Sequence, residues 1–227
     1  MPVNHPARLL AAALVGVAAG NLPAADAAAR AAGGADLRRE GTRNPGAMNA
    51  THVLGRKWGA AVFALDVGKG TLAARLGHRL AGPAGANAAA SAAVVGHCFP
   101  VGRGGGKGVA TSIGQVLGTF PAYLPVDIGV AFATAVVPFL RQRTRMATAV
   151  ASATWVGGAT LAWRRQLRTC GGVEPTAALP LAALVSSAVI AVRFATEADN
   201  VTAFNQVAAG NLAAPDDRAA DDEPRTA

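Results

Sequence analysis

The sequence predicts an all-α protein, a polytopic bundle of about seven transmembrane helices. Hydrophobic residues make up 52% of the 227 residues and charged residues only 15%, against about 25% charged in an ordinary soluble domain. Long stretches carry no charge, and Lys and Arg cluster in the gaps between them. This alternation is typical of helices that cross a bilayer and are joined by basic loops.

Seven predicted helices account for the charge-poor stretches. Crossing the hydrocarbon core takes about 20 apolar residues, with a range of about 17–25, and a charge at the bilayer centre costs about 2.5–3.5 kcal/mol. Segments containing Lys and Arg are therefore interpreted as loops or helix ends. The predicted helices are 8–30, 52–74, 85–101, 109–122, 126–140, 146–164 and 175–194.

The second predicted helix is unusual because it contains Asp66, Lys69 and Arg75. Charges inside a membrane-spanning segment generally face the interior of the bundle and have a function. Asp66 and Lys69 are three residues apart on one helix, so they could also simply neutralise each other. A structural role and a catalytic role for this pair remain equally open at this stage.

Charge placement predicts the domain organisation and the orientation. Basic residues concentrate in loops 36–58, 100–108 and 141–145, which predicts that these loops and the C-terminus are cytoplasmic and that the N-terminus is outside. Residues 1–210 are predicted to form one membrane domain, and the acidic, proline-containing segment 211–227 is predicted to be disordered. A cleavable secretory signal is an alternative for the first apolar run, but it does not explain the later ones.

The net charge of +8 suggests a nucleic acid or an anionic membrane surface as partner. Aromatic residues are only 5%, too few for base-stacking platforms, and the basic residues lie in short clusters between apolar runs. We therefore predict membrane lipids and no nucleic acid as partners. The cysteines lack metal-ligand spacing, so no metal is predicted.

The strongest local motif is the glycine-rich stretch GHCFPVGRGGGKGVAT at 96–111. Glycines allow backbone N–H groups to approach an anion, and a following lysine adds positive charge. The motif is not a nucleotide-binding Walker A loop, which requires glycine where Val101 stands and Ser or Thr where Gly108 stands. It predicts a phosphate site, with a flexible linker between two helices as the alternative.

A second polar motif, DLRREGTRNPGAMN at 36–49, combines guanidinium, hydroxyl and amide groups. Arginine binds phosphate in a bidentate manner. On the predicted topology this loop and the glycine-rich stretch lie on the same face of the membrane, so together they could form one anion site. The alternative is an ordinary basic loop. His97 could act as a general base, although a lone histidine at a helix end more commonly has a packing role.

In this order and spacing, the motifs resemble those of the bacterial acyl-phosphate:glycerol-3-phosphate acyltransferase family (PlsY). That family has a G-H-x-F-P sequence followed by G-G-K-G-V-A-T, which residues 96–100 and 105–111 match closely. The resemblance extends over about residues 14–200. It also includes GNLP at 20–23, the 36–49 motif, LGRKWG at 54–59 and LDVGKG at 65–70.

The resemblance implies a seven-helix enzyme of the bacterial inner membrane. Such an enzyme transfers an acyl chain from acyl phosphate to the sn-1 hydroxyl of glycerol 3-phosphate, giving lysophosphatidic acid and phosphate without a cofactor. It implies that Arg38, Thr42 and Asn44 bind and orient the phosphates and the hydroxyl, and that His97 supports the loop. The residues implied to cradle phosphate or otherwise bind substrate are Gly104, Gly105, Gly106, Lys107, Gly108, Thr111, Asn49, Lys69 and Asn200.

The sequence also departs from the family pattern. Thr42 replaces a serine, Arg43 a glycine and Met48 a threonine, and the third motif, R-E-N-I-x-R-L-x-x-G-x-E, is represented only by residues 199–201. These departures leave open a catalytically impaired member of the same fold that binds lipid or phosphate. A small transporter is a further alternative, but it would show internal symmetry between its halves, which the sequence lacks.

Overall fold

The computed structural model describes residues 5–136 and 144–208, with side chains described for 5–130, 132–133 and 147–196. These residues are helical or irregular and contain no strand, which confirms the all-α prediction. The elements are α1 (His5–Gly20), α2 (Ala24–Ala31), α3 (Ala47–Leu54), α4 (Arg56–Cys98), α5 (Val109–Thr119), a 3₁₀ turn (Pro121–Tyr123), α6 (Leu124–Val136), α7 (Thr144–Arg165) and α8 (Ala178–Ala208).

Each of the seven predicted segments contains a helix, but the first two are divided. The segment predicted as 8–30 breaks between α1 and α2 around Pro23, which cannot donate a backbone hydrogen bond and disfavours helical geometry in the residue before it. The backbone turns at Gly55, with φ of 95°, between α3 and α4. The end of the predicted helix 126–140 and the predicted acidic tail lie outside the described residues.

Helix α4 is a hairpin of two arms rather than one straight rod. Ala81 and Gly82 have non-helical dihedrals, Gly82 with φ of 63°, and Pro83 follows directly. Glycine adopts this left-handed geometry without steric cost, and proline then begins the next helical arm. The turn brings the end of the second arm back beside the first, as the contact between Lys69 and His97 demonstrates. The separate predictions 52–74 and 85–101 correspond to these two arms.

The first arm of α4 packs closely against α5 through small residues. The Thr71 hydroxyl donates to the Gly114 carbonyl at 3.1 Å, and Gly70 lies against the Thr111 backbone. Such close approach maximises van der Waals contact where lipid supplies no hydrophobic drive for helices to associate.

Substituting Gly114 with alanine should destabilise this helix crossing. A Cβ atom there would overlap the Val67 carbonyl oxygen and lie 2.9 Å from the Thr71 nitrogen. Neither backbone atom can rotate away, so we expect a loss of about 1–3 kcal/mol, measured as a lower thermal unfolding midpoint in detergent. Gly157→Ala is the matched control, since a Cβ atom at Gly157 meets nothing within 4 Å. An unchanged midpoint for Gly114→Ala would contradict the close crossing.

Large apolar side chains point outward, and small ones fill the interior. Among the buried residues are Ala12, Ala73, Ala89, Ala90 and Ala93, and among the exposed ones are Leu10, Leu14, Leu65, Phe132 and Leu181. In water this distribution would leave extensive apolar surface uncovered. It suits a bundle whose exterior contacts lipid.

Length and composition alone identify two stretches in the described residues that could cross a membrane, His5–Ala31 and Ala178–Thr196. The other predicted spans do not meet this criterion for visible reasons. Helix α5 has 11 residues, about half of a full span, and α4 carries several charges in its first arm.

The chain divides into two compact units, residues 1–193 and 194–227. The first unit contains α1 to α7 and most of α8, and the second contains the C-terminal part of α8. The predicted boundary at residue 210 lies outside the described residues.

Candidate anion site

The glycine-rich loop between α4 and α5 is held at several points. The Gly106 N–H donates to the His97 carbonyl at 3.2 Å, and Gly108, with φ of 83°, is the N-cap of α5. From α8, Arg193 donates through Nε to the Gly106 carbonyl at 3.1 Å and through Nη2 to the Gly105 carbonyl at 2.7 Å. These bonds fix the loop backbone against two different helices.

Arg38 connects the 36–49 loop to the glycine-rich loop. Its Nε donates to the Gly104 carbonyl at 2.9 Å. The two Nη atoms bind the Asp26 carboxylate, Nη1 to Oδ1 and Nη2 to Oδ2 at 3.3 Å. The two loops therefore meet, and Asp26 of α2 joins them; that they form one anion site stays a prediction.

A second arginine, Arg103 of the glycine-rich loop, contacts Asp26 and the connection between α1 and α2. Arg103 Nε lies 4.0 Å from Asp26 Oδ2, and Arg103 Nη2 donates to the Asn21 carbonyl. The Asn21 side chain accepts in turn from the Val101 N–H at 2.8 Å. Asn21 of the α1–α2 connection and Asp26 of α2 thus anchor the first half of the glycine-rich loop.

Asn49 organises the 36–49 loop from within. Its Nδ2 donates to the carbonyls of Leu37 and Glu40 at 2.9 and 3.0 Å, and its Oδ1 accepts from the Thr42 N–H at 2.7 Å. The side chain is completely buried, and a buried amide is stable only when its polar atoms are paired. All its hydrogen bonds go to backbone groups, so Asn49 shapes the loop that carries Arg38.

A buried polar triad lies on the two arms of α4. Lys69 Nζ is 2.8 Å from Asp66 Oδ1 and 2.6 Å from His97 Nδ1. An ammonium group only donates, so with Lys69 protonated His97 Nδ1 is the acceptor and the proton of the neutral imidazole is on Nε2. A Cβ atom on Gly106 would overlap that Nε2. The triad therefore connects the membrane-buried charge pair to the glycine-rich loop.

These residues surround one small cavity with an excess of positive charge. Among its lining residues are Arg38, Lys69, Arg103, Asp26 and Asp66, together with the loop glycines 104–106. Arg193 adds a further cation behind the loop. Four cationic side chains therefore stand against two carboxylates, which favours binding of an anion. Among the described residues, no group of three or more His, Cys, Asp or Glu side chains could hold a metal ion.

Other predicted site residues lie close in the chain but differ in burial. Thr42 is exposed, Lys107 is half-buried, and Asn44 has its Oδ1 atom buried without a hydrogen-bond partner among the described residues. Thr111 is fully buried on α5, where its backbone faces Gly70 of α4. Asn200 lies in α8, beyond the residues whose side chains are described.

The sequence analysis assigned no role in the site to three residues that the structure places there, namely Asp26, Arg103 and Arg193. Asp26 directly follows the first charge-free run and was included in a predicted transmembrane helix. Arg193 ends the last charge-free run and was interpreted as a basic helix end. A useful signal for both is a charge at the boundary of an apolar run beside a polar loop.

Changing Arg193 to lysine should weaken anion binding. Lysine keeps the charge but cannot bind two carbonyls with the fixed fork of a guanidinium. Losing one charge-assisted hydrogen bond of about 1.5–3 kcal/mol should raise the dissociation constant for inorganic phosphate about tenfold or more, as measured by calorimetry in detergent. Arg165→Lys, at the exposed end of α7, is the control. Equal affinities in both variants would indicate that the loop needs no anchor from α8.

The lipid-facing exterior and the cationic loop cluster define a membrane-embedded helical protein with a candidate anion site. Its sequence matches the family profile for glycerol-3-phosphate acyltransferase over residues 10–203. A profile match over most of the chain means that this protein belongs to the glycerol-3-phosphate acyltransferase family. The resemblance inferred from the motifs is confirmed.

Individual relatives agree with this assignment. A glycerol-3-phosphate acyltransferase of Gloeobacter violaceus is 37% identical over 189 residues, covering 72% of this chain and 92% of that protein. A glycerol-3-phosphate acyltransferase of Thermoanaerobacter sp. (strain X514) is 49% identical over 88 residues, which cover 38% of this chain and only 44% of the relative's length.

The fold is also that of a solved enzyme. The crystal structure of PlsY, an integral membrane glycerol 3-phosphate acyltransferase in its glycerol 3-phosphate form, superposes with a TM-score of 0.64 at 25% identity, covering 89% of this chain and 94% of that one. The predicted fold class, a polytopic transmembrane helix bundle, is confirmed, and the chain is an integral membrane protein.

Proposed function

We propose that this protein transfers an acyl chain from acyl phosphate to the sn-1 hydroxyl of glycerol 3-phosphate, producing lysophosphatidic acid for phospholipid biosynthesis. The observation that carries the proposal is the meeting of Arg38, from the first motif, with Gly104 of the glycine-rich loop at 2.9 Å. Both substrates are phosphate anions, so a site with several cations around a glycine backbone suits the pair.

The reaction balances without a cofactor. The sn-1 oxygen forms a bond to the acyl carbon, the bond between that carbon and the phosphate oxygen breaks, and the hydroxyl proton leaves on the released phosphate. Because phosphate is a good leaving group, the protein mainly has to hold two anions together and stabilise developing charge. A general base on the protein is therefore not required.

Several contacts support particular roles. Arg38 and Lys107 would bind phosphate, with Gly104, Gly105, Gly106 and Gly108 allowing the loop backbone to approach it. Asn44 has a buried Oδ1 atom without a partner among the described residues, which suits acceptance of a hydrogen bond from the attacking hydroxyl or from a substrate phosphate that carries a proton. The exposed Thr42 hydroxyl would help Asn44 to orient the attacking hydroxyl.

His97 would act as a positioning residue rather than as a base. Its Nδ1 is occupied by Lys69 at 2.6 Å, and its Nε2 faces Gly106. A nitrogen that carries the proton donates and cannot remove a proton from the hydroxyl. Lys69, Asn49 and Thr111 would support the substrate site from the buried side.

We further propose that the protein lies in the bacterial inner membrane with its motif loops and C-terminus in the cytoplasm. The support is the concentration of basic residues in loops 36–58, 100–108 and 141–145, the arrangement that cytoplasmic loops prefer. Water-soluble glycerol 3-phosphate would then reach the site from the cytoplasm, and the acyl donor would reach it from the bilayer.

The experiment is turnover by purified protein in nanodiscs with palmitoyl phosphate and glycerol 3-phosphate. Release of phosphate and formation of lysophosphatidic acid are both measured, with the Gloeobacter violaceus relative assayed in parallel. We expect turnover by the wild-type chain and its loss in Lys107→Ala. A folded preparation that binds phosphate but gives no product, while the relative is active, would instead support the catalytically impaired alternative.

A further inference from the structure

The end of the bundle opposite the candidate anion site carries a second group of arginines. Helix α5 begins beside the glycine-rich loop and ends 11 residues later at Thr119, about 16 Å away. At that far end the first arm of α4 approaches its turn, and α7 ends in the loop that leads to α8. Five exposed arginines there form what we call the distal arginine surface, namely Arg75, Arg79, Arg164, Arg165 and Arg168.

Backbone contacts hold these segments together at one junction. Gly118 of α5 lies against Ala74 of α4, which directly precedes Arg75. The carbonyl of the next residue, Thr119, accepts a hydrogen bond at 3.0 Å from the N–H of Val173, in the loop between α7 and α8. The arginines of α4 and those around the end of α7 therefore border the same junction.

The end of α7 is held in a defined conformation. Gln166 has φ of 50°, a left-handed geometry that is uncommon for residues other than glycine. The Leu167 N–H donates to the Ala162 carbonyl at 3.0 Å, which closes the helix in the manner of a Schellman motif. The Gln166 side chain donates to the carbonyls of Trp163 at 2.6 Å and Pro175 at 3.1 Å. The arginines on both sides of Gln166 are thus carried by an ordered backbone.

The positive charge of this surface is not neutralised within the part of the chain that the structure describes. None of the five guanidinium groups forms an ion pair or a hydrogen bond there. Two carboxylates, Asp127 in the first turn of α6 and Glu174 in the loop before α8, lie at the same end. Arg75 and Arg79 stand four residues apart on one helix face, where like charges repel. The surface therefore favours a counter-anion supplied from outside the protein.

We propose that the distal arginine surface binds the headgroup phosphates of anionic phospholipids, independently of the proposed acyl transfer. A guanidinium group matches the geometry of phosphate with two parallel N–H donors. Exposed leucines stand among the arginines, with Leu80 beside Arg79 and Leu167 beside Arg168. Acyl chains therefore meet apolar side chains where headgroups meet cations. A zwitterionic phospholipid carries an ammonium group that the arginines repel, so anionic lipids should be preferred.

The test uses tryptophan fluorescence as a local reporter of lipid binding. Trp58→Phe/Trp155→Phe keeps Trp163, which directly precedes Arg164, and Trp155→Phe/Trp163→Phe keeps Trp58, at the opposite end of the first α4 arm. Each protein is placed in bilayers of phosphatidylcholine and phosphatidylglycerol in which one lipid carries brominated acyl chains that quench nearby indoles. The ratio of the two quenching efficiencies gives the local preference for the anionic lipid. Two arginines near an anionic lipid should give a preference of about tenfold at Trp163.

Removing two arginines should abolish most of this preference. Arg164→Gln/Arg168→Gln should lower it to about twofold at Trp163 and leave it unchanged at Trp58. Arg39→Gln/Arg56→Gln removes two exposed charges from the opposite end, and as the matched control it should leave the preference at Trp163 unchanged.

Three outcomes would overturn the proposal. Equal quenching of Trp163 by both brominated lipids, with all five arginines present, would exclude selective binding even where the arginine variant fails to fold. An unchanged preference in folded Arg164→Gln/Arg168→Gln would assign it to the bilayer as a whole. Loss of the preference in millimolar inorganic phosphate, but not in chloride of equal ionic strength, would replace the lipid by free phosphate.

Discussion

Replacing Arg38 with alanine should reduce turnover at least a hundredfold. Arg38 holds Gly104 through Nε at 2.9 Å and Asp26 through both Nη atoms, and it lines the cationic cavity. Removing one preorganised donor to a developing negative charge costs about 10²–10³ in rate. Loss of the fork would also remove one of the two arginines that join the glycine-rich loop to Asp26 of α2, so substrate affinity should fall as well. The measurement is kcat and KM for both substrates in nanodiscs.

Two further variants separate charge from geometry. Arg38→Lys keeps the charge but cannot bind Gly104 and Asp26 together, so most of the loss should remain. Arg39→Ala is the matched control, because Arg39 is 87% exposed and pairs with Asp36 at 3.4 Å on the surface, a contact worth about 0–1 kcal/mol. Turnover in Arg38→Ala equal to that of Arg39→Ala would exclude Arg38 from the site.

Each predicted segment contains a helix because charge-poor runs separated by basic gaps are typical of helices that cross a bilayer. The turn inside α4, at Ala81 and Gly82, falls between the separately predicted helices 52–74 and 85–101. The break around Pro23 was missed because apolar and alanine residues continue on both sides, so composition gave no boundary. Only the proline itself indicated it, through the restriction on the preceding residue.

The sequence predicted which loops carry the candidate site but not the residues from other helices that hold them. Both motifs were assigned to one face of the membrane, so the sequence predicted that the two loops could form one site. In the structure, Arg38 joins them at Gly104. Arg193 binds the Gly105 carbonyl from 88 positions further along the chain, and Asp26 is joined to Gly104 only through Arg38. Such partners depend on how helices are arranged in three dimensions, which local spacing does not encode.

The same limit applied to the pair Asp66 and Lys69, for which structural and catalytic roles were equally open. Their side chains are 3% and 4% exposed, and the N···O distance is 2.8 Å. Lys69→Met alone leaves a buried carboxylate with only His97 nearby, at 3.5 Å. Breaking a buried pair in this way costs about 3–5 kcal/mol, so we expect a markedly lower thermal unfolding midpoint in detergent. Arg75→Met, at an exposed position of the same arm, should change stability by less than about 0.5 kcal/mol.

The double variant Asp66→Leu/Lys69→Met separates the two roles. Replacing both charges by apolar residues removes the unpaired ion and should restore most of the stability, since such replacements are often neutral. Turnover should stay low, because His97 then loses the ammonium group that holds its Nδ1 atom at 2.6 Å and no longer supports the loop at Gly106. Recovery of both stability and turnover would mean that the pair serves only to neutralise itself. Recovery of stability alone would establish that the triad positions the glycine-rich loop for the reaction.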